Sequence, residues 1–191
     1  MATESGSSVT PSEIKLRSPT TGKRLSPDKR SLTSFPISIL GTWYVTHSTL
    51  PRWKKARNVS ITYKPLSSDA NKLDDLITYQ SLTGENVKRV AGVDAPVGPG
   101  SWHWRGNGWL MIASSRWEIL GYGDESGGEG SQWVVTYFAK TLFTPAGIDI
   151  YSRRKEGLGV ETVQSIRKAL GEVEDEVVRK LAGDLFSVKS D

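Results

Sequence analysis

Between Ile39 and Arg153, apolar residues recur at every second position in short runs, the period of half-buried β-strands. Gly, Pro, Asn and Asp clusters punctuate the runs. The first spans Ile39 to Ser48 and is ended by Pro51. The second, Asn58 to Leu66, puts Val59, Ile61 and Tyr63 on one face and Ser60, Thr62 and Lys64 on the other. Asp75 to Leu82, Val87 to Asp94, a run opening at Ser101, Arg116 to Tyr122, Gln132 to Leu142 and Ile148 to Arg153 follow. On the third run, Ile77 and Tyr79 compete with Leu76 and Thr78 for the inward face. Within the fifth, Gly106-Asn107-Gly108 is read as a bulge in one long bent strand rather than a hairpin turn.

From Gly159 the period lengthens. Val163, Ile166, Leu170, Val173, Val177 and Leu181 fall three and four residues apart, one apolar stripe on a charged helix, with Gly171 able to bend it and Gly183 to stop it. About eight short strands followed by a helix predict an all-β, closed antiparallel barrel with a helix packed outside. Residues 1–35 are rich in Ser and Thr, contain three prolines and offer little apolar surface, so a disordered tail is expected there. The predicted organisation is tail 1–35, barrel 36–158 and helical segment 159–191.

Gly41-Thr42-Trp43 on the first strand and Tyr151-Ser152-Arg153 at the end of the last, followed by the helix, resemble the lipocalin (calycin) barrel, cytosolic fatty-acid-binding types included. The resemblance covers residues 39–185 in outline. It lacks the usual Thr-Asp-Tyr motif, since the loop around Asp124 has no matching Tyr. It implies an eight-stranded up-and-down barrel whose closed end is plugged by Trp43 under Arg153, with Gly41 beside them, a structural and not a catalytic trio. It also implies a ligand cavity, with the loop after the first strand as lid and Trp53 on it.

Composition narrows the chemistry. There is no Cys, which excludes disulfides and thiolate chemistry and favours a reducing, cytoplasmic setting. Residues 1–20 have no signal-peptide core. The net charge is +4, and residues 1–35 hold six Lys/Arg against three acids, so +3 of it sits in the tail. The near-neutral remainder predicts no nucleic-acid footprint. Two histidines, His47 and His103, without clustered carboxylates predict no metal site, and no cofactor is expected.

Tyr63, Tyr79, Trp104, Trp117, Trp133, Val135 and Tyr137 are the candidate cavity lining. The same register sends Glu118 outward to solvent. The loop Arg52-Trp53-Lys54-Lys55-Ala56-Arg57 reads either as a lid with its Trp folded over the cavity or as a weak interfacial anchor on anionic lipid. The leading expectation is a binding protein for a small hydrophobic molecule such as a lipid, isoprenoid or polyketide-like metabolite. A cofactor-free isomerase or cyclase is the alternative, with His47, Tyr63 and Tyr137 as its candidate catalytic groups. A third reading is a filled interaction barrel with a regulated tail.

Overall fold

The computed structural model describes residues 13–20, 37–125 and 130–191. Eight antiparallel strands follow the alternation: β1 (Gly41–Ser48), β2 (Ala56–Leu66), β3 (Asp69–Ser81), β4 (Lys88–Gly98), β5 (Ser101–Gly106), β6 (Ser114–Asp124), β7 (Gln132–Phe138) and β8 (Gly147–Ser152). Each pairs with the next, and β1 pairs with both β2 and β8, closing the barrel. A two-residue strand, β9 (Phe186–Ser187), joins β1 at His47 and Ser48, beyond the stretch that β2 occupies. Four connections, after β1, β3, β5 and β7, surround one end of the barrel. No helix among the described residues is long and apolar enough to cross a membrane.

Two expectations are corrected. The fifth run is one short strand and a turn, not one long bent strand. The chain leaves β5 at Gly106 and turns through a 3₁₀ segment, Gly108–Leu110, entered by Gly108 at φ +59°; β6 then begins at Ser114. The C-terminal helix is two helices: α1 (Val160–Glu172) and α2 (Glu176–Gly183). The break lies after Gly171, where Val173 is extended and the Asp175 carboxylate accepts from the N–H groups of Val177 and Val178 to start α2. The break shifts the apolar stripe by one residue, so Val178 is buried and Val177 is exposed.

Two apolar clusters result. One fills the barrel around Trp43, Tyr63, Trp117 and Tyr151. The other lies outside it, where Leu120, Trp133, Val135, Tyr137, Ile148 and Ile150 pack against Ile166, Leu170 and Val178 of the helices.

Most of the tail expected over 1–35 lies outside the described residues, including two of its three prolines, Pro11 and Pro27. Residues 13–20 are seated as a strap on β6. An irregularity between Ile119 and Gly121 frees the Leu120 carbonyl from the ladder, and it accepts the Arg17 backbone N–H at 2.8 Å. Gly121 permits the approach, for a Cβ there would stand 2.3 Å from Leu16.

Candidate functional site

The closed end is a plug. Trp43 is fully buried, its indole N–H donates to the Ile39 carbonyl at 2.7 Å, and the Arg153 guanidinium lies 3.6 Å from its ring centroid. Arg153 also donates to the carbonyls of Thr42, Ser38 and Leu40. Gly41, at φ +94°, leaves room for it: a Cβ would meet Arg153 Nη1 at 3.0 Å.

Above the plug lies a cavity of about 560 Å³. Its wall is aromatic. Tyr63 and Trp102 both stack on Trp117, with centroids 5.5 and 4.4 Å away, and Phe138 stands 6.3 Å from the same ring. Tyr63, Tyr79, Trp104 and Trp117 all line the space. On β3 the inward set is Asp75, Ile77 and Tyr79, which decides the competition on that strand. Trp133, Val135 and Tyr137 were expected in the same wall and are not there; they face the helices. The inward residues of β7 are the alternate ones, Val134, Thr136 and Phe138. Both faces of β7 and β8 are covered, one by the cavity and one by α1 and α2, so alternation could not tell in from out.

The alternation that turns the rings inward also turns three carboxyls inward. Asp75 precedes Ile77 by two residues, and Asp149 precedes Tyr151 by two. Asp94 follows Gly92 by two, and all three acids are buried. Asp94 accepts the Trp117 indole N–H at 2.7 Å through Oδ1, while its Oδ2 has no hydrogen-bond partner. Asp75 Oδ1 and the Trp104 indole nitrogen make no hydrogen bond of normal geometry, though the indole is near enough to Asp75 to favour its carboxylate slightly. Burial pushes Asp94 up to about 7, against the smaller pull of the Trp117 bond. Burial, with Asp94 and then Asp74 as neighbouring acids, holds Asp75 well above the usual carboxylate range. Tyr63 and Tyr151 are raised in turn, chiefly by burial. These acids escaped the sequence reading, which weighed only Glu118. The signal available was the strand period, which puts Asp75 on the face of Ile77 and Asp149 on the face of Tyr151.

The lid is a single 3₁₀ turn, Pro51–Lys55. Trp53 is buried beneath it, edge-on to Tyr79 at 5.6 Å, and donates to Asp149 Oδ2 at 3.2 Å. Ser48 donates to Asp149 Oδ1 at 2.5 Å. Burial still raises Asp149 to about 7 despite the Ser48 and Trp53 bonds and the nearby Arg52. The Arg52 guanidinium covers the outer face of Trp53 at 4.2 Å, and with Lys88 and Arg89 it makes the mouth cationic.

His47, a candidate acid–base group, is outside the cavity. It projects from the outer face of β1 beside β9, and burial, with Arg167 of α1 in second place, lowers its pKa to about 4. Glu118 points away from the cavity as expected, but not to solvent. The strap covers it: Arg17 Nη1 pairs with it at 3.0 Å, and Thr20 donates its backbone N–H and hydroxyl to it. Among the described residues no group of three or more His, Asp or Glu could hold a metal ion.

No protein-family model and no curated protein matches the sequence. Solved structures do match in shape. The siderocalin Ex-FABP, described as functioning through dual ligand specificities, superposes with a TM-score of 0.54 at 14% identity, over 80% of this chain and 93% of its own. The major allergen Per a 4 from cockroaches does so with a TM-score of 0.57 at 11% identity, over 83% of this chain and 92% of its own. With the closed eight-stranded barrel, these likenesses give the chain the lipocalin (calycin) fold.

Proposed function

We propose that this barrel binds a small, uncharged hydrophobic molecule, taken in past the Trp53 lid and held among Tyr63, Tyr79, Trp104 and Trp117. The observation that carries the reading is the cavity itself. Its volume suits a compact ligand of the lipid, isoprenoid or polyketide type, and its wall is aromatic with a few polar groups. Asp75, whose protonated form burial favours, would offer the ligand an O–H donor and an acceptor oxygen, and the Trp104 indole a further donor. A cationic ligand would meet Arg52, Lys88 and Arg89 at the mouth, so charge selects against amines. A chain without cysteine suits a cytoplasmic site of action. The test is native mass spectrometry of the purified protein with solvent extraction of whatever travels with it. A co-purifying apolar compound supports the reading. An empty protein that also fails to brighten an apolar fluorescent probe overturns it.

A second reading rests on a separate observation, the two neighbouring acids of raised pKa at Asp75 and Asp94. A protonated Asp75 could deliver its proton to one substrate atom and recover one from another, an isomerisation balanced in atoms and charge that needs no cofactor. Of the three groups first considered for such chemistry, only Tyr63 lines the cavity. Asp75→Asn separates the readings: a carrier keeps its ligand, whereas an isomerase or cyclase keeps binding and loses turnover.

A further inference from the structure

The loops around the barrel mouth carry apolar side chains that nothing covers. In the β5–β6 turn Met111 and Ile112 are 59% and 86% exposed; in the β7–β8 turn Leu142 and Phe143 are 96% and 77% exposed. These two tips lie on one rim. Leu110, adjoining the first, and Phe143, in the second, both line the cavity mouth. Large side chains exposed together mark a contact surface, since isolated ones are common but clusters at a cavity entrance are not.

The charge on this rim says what covers it. Arg52, Lys54 and Lys55 stand on the lid turn, Lys88 and Arg89 at the start of β4, and Lys140 after β7, all exposed. The four rim connections contribute one acid, Glu85, which pairs with Arg57 at 2.9 Å; Arg57 also pairs with Asp191. Apolar tips flanked by unopposed cations complement an anionic bilayer, where the tips reach the acyl boundary and the cations meet phosphate and carboxylate headgroups. A protein partner would more often bring mixed charge. We propose that the open rim docks on an anionic phospholipid membrane, with the Ile112 and Leu142–Phe143 tips inserted and the cavity mouth facing the lipid. Ligand would then pass between bilayer and cavity without crossing water. Docking itself does not depend on the ligand reading, and extends the lipid contact considered for residues 52–57 to the whole rim.

The test is flotation of the full chain with vesicles of phosphatidylcholine alone and with phosphatidylserine added, across a salt series. The expected result is retention on phosphatidylserine-containing vesicles that weakens with salt, and little on phosphatidylcholine. Ile112→Asp with Leu142→Asp is expected to lower the partition coefficient by about tenfold or more per site, the cost of withdrawing one buried aliphatic side chain. Lys140→Glu is expected to lower it by at least about fivefold. None of these three residues lines the cavity or lies on the lid, so probe binding in solution stays unchanged and reports an intact barrel. If the apolar pair unfolds the protein, the lysine variant still decides. Failure to float with phosphatidylserine, or unchanged partition in both variants, overturns the proposal. So does self-association, read by sedimentation, that these substitutions abolish without any vesicle binding; it would assign the rim to a second copy. An empty cavity with intact vesicle binding would refute the ligand reading and leave this one standing.

Discussion

Asp94 ties the interior acids to a measurable quantity. Its carboxyl is fully buried, with one oxygen held by Trp117 and the other unpartnered, and its pKa stands near 7 against 3.8 in an unfolded chain. Between those values the native state binds more protons than the unfolded one, so this group's contribution to stability falls as pH rises. From pH 5 to pH 8 the penalty grows by about 2.5 kcal/mol, at ~1.4 kcal/mol for each unit across which the two states differ in protonation. His47 acts in the opposite sense: its pKa is lowered to about 4, so its contribution grows as pH rises towards its unfolded value of 6.5. The wild-type curve therefore mixes signs, and the informative quantity is the difference between wild type and Asp94→Asn. The amide keeps the oxygen that Trp117 needs and cannot ionise. Urea unfolding followed by tryptophan fluorescence, at pH 5, 6, 7 and 8, should show the variant gaining about 2.5 kcal/mol relative to wild type across the series. Parallel curves, constant to within about 1 kcal/mol, would mean that Asp94 is already ionised in the native state at pH 5. The protonated-carboxyl view of the cavity would then be wrong.

At the closed end, Arg153→Ala removes the contact with Trp43 and three carbonyl partners, and should cost about 3 kcal/mol in denaturant unfolding. Arg153→Lys should recover part of that loss. In the strap, Arg17→Ala takes the ion pair with Arg17 from the buried Glu118 carboxylate and should cost about 3 kcal/mol. Glu118→Gln removes the charge and keeps acceptor and donor groups, so it should cost less than half as much, and trypsin cleavage at Lys15 reports strap release in either variant. At the lid, Trp53→Ala opens the cavity roof and leaves Asp149 with Ser48 alone; stopped-flow dilution should show an apolar probe leaving faster than from wild type.

The barrel was legible because one face of most strands is buried and the other wet, which writes period two into the residues, as along Val59, Ile61 and Tyr63. Gly41, Trp43 and Arg153 were legible as a motif, and the geometry supplies the reason: a glycine at φ +94° beneath a stacked guanidinium. The register of β7 was not legible, since Trp133, Val135 and Tyr137 are as apolar as the inward set and are buried under helices instead. The helix break was hidden because Val173, Val177 and Leu181 keep helical spacing through it, and only the capping Asp175 betrays it. The interior acids went unread for a different reason. Composition argues against a buried Asp, whereas strand alternation at Asp75, Asp94 and Asp149 argues for one, and here alternation won.

The strap also constrains the order of assembly. Its seat on Glu118 is built by residues about one hundred positions further along the chain, and β1 likewise waits for β8 to close against it. On a growing chain the strap segment is synthesised first and can be seated only after β6 has formed. Until then Glu118 keeps its hydration, and the outer wall between Ser101 and Leu120 lies open. Closure is therefore late and non-local, the condition under which barrels fold slowly. The final event expected in refolding is withdrawal of one carboxylate from water, read as a slow phase that Glu118→Gln alters while the earlier, barrel-forming phase keeps its rate.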